Sequence, residues 1–571
     1  MNPAARGAND ELVDLALIGM VAAFALALVL RAAATAAAVA TGAATPAGGI
    51  ASGLRVLADP SRPARAFEAP GLSAIAYWSV VTLFLAVLAT VAWCVWRVVA
   101  RLRHRNARDP HRIQGTATAR DIDTTASKRA LVRRAATLRP SNRHPRATDV
   151  GYLIGRSCGR EIWASVEDSI LVIGPPRSGK GLHLVINAIL DAPGAVVTTS
   201  TRPDNIAATI AARKERGPVA VFDPQHLTEG VPAVDGCGVR WSPIRGCEQP
   251  LTAMIRASGL ASSTGLSSGG TESGGFWEGK ARSALQALLH AAALEKLPTR
   301  ALFEWSLSAS AATDAAGILA SHPQAAAGWS DSLEGMITSD PRTRDSIWMA
   351  VAQALSCLAD PAVLDAVSPE PGEAFDPCDF LTRNGTLYLL ATGAGAGASW
   401  PLVAAFMEDL TEVARHLAAA SPGSRLDPPV LMALDEIGNL APLPSLPVLM
   451  AEGGGTGITT MPVLQSLAQA RNKWGEHAAS TIWDASIVKV ILGGASASKD
   501  LQELSVLIGE RDERADTVSI GGYGQRSLQR STRRIAVMPP DRIRTMPFGT
   551  GLVLLRSAPP IVASLRSWVH R

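Results

Sequence analysis

The segment SILVIGPPRSGKGLHLVINAIL, Ser169 to Leu190, restricts the possible folds of this chain more than any other. Ser169 to Ile173 reads as a buried strand, Gly174 to Gly181 as a glycine-framed loop, and Leu182 to Leu190 places apolar residues at helical spacing. A strand that passes straight into such a loop and then a helix is half of a βαβ unit, which calls for a mainly parallel sheet interleaved with helices. The loop has the spacing G-x-x-x-x-G-K, and its chemistry is anion binding. Gly174 and Gly179 permit backbone angles that turn successive N–H groups toward a phosphate, the helix N-terminus adds partial positive charge, and Lys180 reaches the β and γ oxygens. Pro175, Pro176, Arg177 and Ser178 complete the cradle, and Gly181 stands where a Ser or Thr hydroxyl ordinarily ligates Mg2+. The metal is therefore expected to be held with one fewer protein oxygen, by water or by Asp435.

A second apolar run, Val430 to Leu434, ends in Asp435 and Glu436. Open α/β sheets bind ligands at the carboxyl ends of their strands, so these acids are expected beside the phosphate loop. Asp435 is suited to the metal, and Glu436 to orienting and deprotonating an attacking water. A third strand, Ile458 to Leu464, ends in Gln465, an amide placed to reach a γ-phosphate or the lytic water and to report hydrolysis to the helix that follows. Further strands are expected at 195–199, 219–223, 385–392, 487–492 and 550–555.

Length and composition place these motifs in a larger, membrane-attached chain. At 571 residues more than one folding unit is required, and 47% hydrophobic against 18% charged residues is too apolar for a disordered or fully solvated protein. Leu72 to Trp96 is 25 residues without a charge, with Tyr77 and Trp78 near one end and Trp93 and Trp96 at the other, the pattern of a transmembrane helix with interfacial aromatics. Leu12 to Leu30 reads as a first span; a cleaved signal peptide is the alternative, against which stand Asp10 and Glu11. Arg97, Arg101, Arg103, Arg105 and Arg108 follow the second span, so positive-inside asymmetry puts the rest of the chain in the cytoplasm. Residues 97–150 hold 14 Lys and Arg against four Asp, a flank suited to anionic lipid and secondarily to nucleic acid. The six cysteines form no C-x-x-C and no His-bearing cluster, so neither a zinc site nor a disulfide framework is indicated.

The expected organisation is a transmembrane anchor over 1–96 (helices about 12–30 and 72–96, external loop 31–71) and a basic juxtamembrane linker over 97–150. A nucleotide-binding domain follows in two parts, 151–249 and 376–571, interrupted by an all-helical subdomain over 250–375. The Ser/Gly/Thr stretch 262–275 reads as a loop in front of those helices.

The two spans, GPPRSGKG, the helical insert, LDEIGNLAPLPSLP (434–447) and VLQSLAQ (463–469) together resemble the TraG/TraD-type conjugative coupling proteins of type IV secretion systems, relatives of the FtsK and HerA motor ATPases. VTTSTRPDN (197–205), VAVFDP (219–224), RWSPIRGC (240–247) and IVKVILGG (487–494) extend the resemblance along the chain. It implies an α/β, RecA-like P-loop NTPase with an inserted all-α subdomain and a two-helix membrane anchor. It further implies ATP and Mg2+ as ligands and a homohexameric ring at the inner membrane. Its partners are then a relaxase or relaxosome with single-stranded DNA, possibly proteins, and the secretion channel. By position Lys180 corresponds to the phosphate lysine, Asp435 to the metal-site acid, Glu436 to the catalytic glutamate and Gln465 to the sensor glutamine.

One departure stands out. Many relatives carry an arginine in the turn before the glutamine strand, acting on the neighbouring subunit's nucleotide, whereas here the turn is Glu452-Gly-Gly-Gly-Thr-Gly457. Arg471 and Arg511 are the nominated substitutes. Two alternatives to single-strand transfer are weighed: an ATP-switched docking receptor with little turnover, and an FtsK-like double-stranded-DNA translocase, which is disfavoured because such proteins usually have more spans.

Overall fold

The computed structural model describes residues 4–107, 113–262, 264–266, 274–391, 398–440, 442–520 and 526–571, without the side chains of 4–16, 18, 98–107, 516–520 and 526–528. Most of the 262–275 stretch and the side chains of the basic run 101–108 thus lie outside the described residues. The chain forms two units, residues 1–109 and 110–571.

In the first unit, helices Ala4–Thr41 and Ala74–Ala107 pack through Ala33, Ala34, Ala37 and Ala38 against Tyr77 and Val81. Small side chains let the two backbones approach, and the Tyr77 hydroxyl donates to the Leu30 carbonyl at 3.4 Å. Segments Gly19–Thr41 and Ala74–Arg97 are each long and apolar enough to cross a membrane. Leu83, Leu85, Val87, Leu88 and Val91 are exposed on the second, an apolar face that water does not favour. The first helix does not stop near residue 30: the alanine-rich run carries it to Thr41, since alanine is the best helix former. The remainder of the expected external loop folds as two helical turns, Ser52–Arg55 and Pro63–Ala66, and buries Val56 and Phe67.

The second unit is built on an eleven-stranded sheet. Its strands are β1 (Gly151–Ser157), β2 (Arg160–Ser165), β3 (Ile170–Ile173), β4 (Val196–Ser200), β5 (Val219–Phe222), β6 (Thr386–Leu390), β7 (Val430–Leu434), β8 (Ile458–Leu464) and β9 (Val488–Leu492). A separate ribbon of β10 (Glu510–Ile520) and β11 (Arg526–Ala536) precedes β12 (Thr550–Leu555) and β13 (Ile561–Leu565), which return to the sheet. The order is β2-β1-β13-β12-β9-β3-β8-β7-β4-β6-β5. From β9 to β5 every pairing is parallel, and from β9 to β2 every pairing is antiparallel. The central parallel strands β3, β4, β6, β7 and β8 are buried along their whole length because helices cover both faces, as a mainly parallel sheet requires.

Between β5 and β6 the described residues form helices, chiefly Pro250–Ser262, Gly274–Leu294, Thr299–Ser306, Thr313–Ser321, Trp329–Ile337 and Pro341–Leu355. They share one core with the helix Trp400–Ala420. At that junction Trp241 stacks on Phe406 with ring centroids 4.5 Å apart, the Arg256 guanidinium lies 4.8 Å over the Trp241 ring, and Arg256 pairs with Asp409 at 2.8 Å. On the far side of the sheet the fully buried Arg213 donates to the Thr386 hydroxyl at 2.7 Å and to the carbonyls of Ala192 and Gly194 at 3.0 and 2.7 Å. These bonds tie the helix Asp204–Lys214, which follows β4, to its neighbours.

Residues 117–150 are not a linker. The short helices Ala119–Thr125, Lys128–Arg133, Ala135–Leu138 and Ala147–Val150 bury Ile122, Leu131, Ala135, Leu138 and Val150 in one core with β1, β2 and β3. The apolar positions 131, 135 and 138 recur at helical spacing, while Lys128, Arg129, Arg133 and Arg134 stay exposed, so the basic composition conceals an amphipathic pattern. The β1/β2 and β10/β11 hairpins and β13 are also absent from the sequence reading. The hairpin strands carry polar and arginine residues that resemble loop composition, β13 is a five-residue apolar run, and pairing partners define them all.

Candidate active site

Strand order brings the three sequence motifs together. β8 lies between β3 and β7, so Gln465, just beyond β8, stands between the phosphate loop beyond β3 and the acids beyond β7. The loop is fastened to β8 directly: the Gly174 amide donates to the Leu464 carbonyl at 3.0 Å. Gly179 has φ +88°, and a Cβ there would lie 2.8 Å from the His183 ring and 2.9 Å from Phe548, so only glycine is accommodated. Arg177 also takes a left-handed φ of +63°. After Lys180 the chain enters a wide helical turn, Gly181–Val185, then the helix Ile186–Asp191.

Lys180 is buried, with Nζ donating to the Gly174 carbonyl at 2.8 Å and lying 3.9 Å from Glu436 Oε1. Burial pushes its pKa down, against the opposing attraction of Glu436 and Asp435. Asp435 is pushed up by burial, opposed first by the hydrogen bond from Asn205 Nδ2 to its Oδ2 at 3.1 Å. The other oxygen, Oδ1, accepts the Glu436 amide at 3.1 Å, and the Asp435 carbonyl accepts the Thr199 hydroxyl at 2.8 Å. Glu436 has φ +55°, an uncommon conformation for a residue with a Cβ that costs roughly 1–3 kcal/mol. Its carbonyl accepts the amides of Asn439 and Leu440 at 2.8 and 3.0 Å, and its Oε2 accepts from Asn439 Nδ2 and, at 3.3 Å, from Gln465 Nε2. Gln469 closes the network: its Oε1 accepts the Gln465 amide at 2.9 Å and its Nε2 donates to Asn439 Oδ1 at 2.7 Å.

Every nominated residue therefore lies on one edge: Gly174, Pro175, Pro176, Arg177, Ser178, Gly179, Lys180 and Gly181 on one side, Asp435 and Glu436 on the other, Gln465 between. Asn205, Asn439 and Gln469 join them without having been nominated. Asn205 follows β4, which pairs with β7, so the rule that ligands sit at parallel strand ends would have found it.

The two arginines proposed as substitutes are differently placed. Arg471 is committed to three carboxylates, Asp500 at 2.8 Å, Glu503 at 2.9 Å and Glu476 at 3.3 Å, and Arg511 on β10 pairs with Glu513 at 3.3 Å. The glycine turn has no room for a basic side chain at Gly453, Gly454 or Gly457. A Cβ on Gly454 would lie 2.0 Å from the Glu167 carbonyl oxygen, and one on Gly457 2.6 Å from that of Leu426.

Residues 429–548, which contain Asp435, Glu436 and Gln465, match the family model described as the TraM recognition site of TraD and TraG. Over those residues the chain is similar to TraD and TraG. Its fold is that of the conjugative coupling protein TrwB. The unbound form of the bacterial protein TrwBdeltaN70 aligns over 77% of this chain and 92% of its own, with TM-score 0.53 and 18% identity. TrwB with an ATP analogue aligns over 70% and 86% (TM-score 0.52, 18% identity), and TrwB with ADP and Mg2+ over 76% and 92% (TM-score 0.52, 17% identity). No curated protein sequence matches this chain significantly.

Proposed function

We propose that this TraG/TraD-like protein is a membrane-anchored ATPase that couples ATP hydrolysis to the transfer of relaxase-bound single-stranded DNA, as a homohexamer delivering it to a secretion channel. The observation that carries this reading is the convergence of Lys180, Asp435, Glu436 and Gln465 at adjacent parallel strand ends. Recovery of TrwB with an ATP analogue and with ADP and Mg2+ supports the choice of ligand. The family model over 429–548, named for TraM recognition, supports a relaxosome partner. The helices Gly19–Thr41 and Ala74–Arg97 support membrane attachment, and the arginines after the second favour a cytoplasmic nucleotide unit.

The residues present fit a triphosphate and a divalent cation. Burial shifts Lys180 and Asp435 toward their neutral forms despite the opposite charges beside them, and phosphate and cation would favour the charged forms. The Ser178 hydroxyl, buried in the loop, has no hydrogen-bond partner among the described residues. No group of three His, Cys, Asp or Glu side chains gathers among them, so a cation here would be held by few protein groups, Asp435 first, and would take its other oxygens from nucleotide and water. Bound Mg2+ neutralises charge on the β and γ oxygens. Lys180 leaves the Gly174 carbonyl to hold the phosphates. Glu436 accepts a proton from the attacking water at a carboxylate oxygen, and Gln465 orients that water or senses the γ-phosphate. Through Gln469, a change at Gln465 passes to the helix Leu467–Ala485.

The test is nucleotide binding and single-strand-stimulated hydrolysis by the full chain in nanodiscs. Lys180→Ala is expected to lower ATP affinity at least tenfold; unchanged affinity overturns the reading. A docking receptor switched by ATP is the second reading, favoured by the commitment of Arg471 to three carboxylates and the blocked glycine turn. Retained DNA transfer in cells at negligible turnover would select it.

A further inference from the structure

Position 181 lacks the hydroxyl that this loop type uses for its metal, and the fold supplies an oxygen from elsewhere. A Cβ built on Gly181 meets one atom within 4 Å, Asn205 Oδ1 at 3.7 Å. Asn205 is buried, 3% exposed, at the start of the helix Asp204–Lys214, whose position Arg213 fixes. Asn205 Nδ2 donates to Asp435 Oδ2 at 3.1 Å, which leaves Oδ1 turned toward the space beside Gly181. No described residue donates a hydrogen bond to that oxygen, so it is left available at the edge where the phosphate loop and Asp435 meet. A carbonyl oxygen is a proper ligand for a hard divalent cation or for its bound water.

We infer that Asn205 takes over the role of the missing hydroxyl, its Oδ1 holding the Mg2+ that accompanies the nucleotide, directly or through one water, beside Asp435. This rests on the nucleotide reading above and names the residue that completes it. One side chain then serves two ends: Nδ2 orients the Asp435 carboxylate and Oδ1 faces the metal. Glycine at 181 is consistent with this, because a larger residue there would enter the space that Asn205 Oδ1 faces.

The experiment measures metal affinity, not turnover. The full chain in nanodiscs is saturated with ADP, and free Mn2+ is followed by electron paramagnetic resonance; ADP affinity in EDTA is measured in parallel. Asn205→Ala is expected to weaken Mn2+ binding about tenfold to a hundredfold, the range for lost metal-supporting groups, while ADP affinity in EDTA stays within twofold. Asn205→Asp keeps an oxygen but loses the donor to Asp435, and is expected to bind Mn2+ at least as well as the parent. Gly181→Ser in the Asn205→Ala background is expected to restore binding by returning a hydroxyl. Parent-like Mn2+ affinity in Asn205→Ala overturns the inference alone. So does an Asn205→Asp variant as deficient as Asn205→Ala that Gly181→Ser does not rescue, since Asn205 would then act only on Asp435. A parent chain that binds no ADP in EDTA or in Mn2+ overturns the nucleotide reading and this inference with it.

Discussion

Gln465 Nε2 donates to Glu436 Oε2 across 3.3 Å, so the residue that follows β8 touches the second acid that follows β7. Lys180 Nζ approaches the other oxygen of the same carboxylate at 3.9 Å. The glutamate thus sits between a cation from the phosphate strand and an amide from the strand between them. Any change in its charge is felt by both.

Glu436→Gln is expected to bind ATP with unchanged affinity and to lose about 10²- to 10⁴-fold in hydrolysis, the usual contribution of a general base. Gln465→Ala removes a hydrogen bond to a charged group, and is expected to lower hydrolysis roughly tenfold to a hundredfold with little effect on binding. Equilibrium nucleotide binding beside single-turnover hydrolysis checks both.

Gly454→Ala is expected to destabilise the second unit by about 1–3 kcal/mol or more, because the added methyl meets a backbone oxygen that cannot retreat. That oxygen belongs to Glu167, whose side chain is pinned by Arg134 at 2.8 Å and Arg425 at 2.6 Å. Gly455→Ala, one residue on, has only an ordinary contact at 3.4 Å and is expected to fold as the parent does. Thermal unfolding of the two variants separates them.

The carboxyl of Glu408 supplies a pH signature. Burial pushes its pKa up from 4.5 to about 7, against the hydrogen bonds from Ser445 and the attraction of Arg415. The folded chain binds this proton more tightly than the unfolded chain, so stability falls as pH rises from about 4.5 through about 7, by on the order of 3 kcal/mol. Glu408→Gln keeps an oxygen for the Ser445 amide, which Glu408 Oε1 accepts at 3.0 Å, and is expected to lose that slope and exceed the parent in stability above pH 7. Urea midpoints between pH 5 and pH 8 measure the slope.

Asp409 receives the Arg256 guanidinium at 2.8 Å and the Trp241 indole N–H at 2.9 Å inside the core that joins the helical insert to the sheet. Asp409→Ala leaves a fully buried guanidinium unpaired and is expected to cost about 3–5 kcal/mol. The double replacement of Arg256 by Met and Asp409 by Leu is expected to recover most of that loss, since no lone charge remains. Chemical denaturation of the three variants is the check.

The sequence by itself determined the parallel strands, the loop and its lysine, the acids after β7 and the glutamine after β8. It also determined the two apolar helices. Each of these is written in a local pattern: an unbroken apolar run, a glycine at a fixed offset, a charge-free stretch of membrane length. Tertiary structure alone decided which strand lies beside which, and hence that Gln465 falls between Lys180 and Glu436 and that Asn205 reaches Asp435 and the space at Gly181. It also decided that residues 117–150 are core and not linker, and that Arg471 is occupied. Strand order and side-chain pairing join residues far apart in the chain, Asn205 and Asp435 among them, and are set by which surfaces bury one another, which no local spacing records.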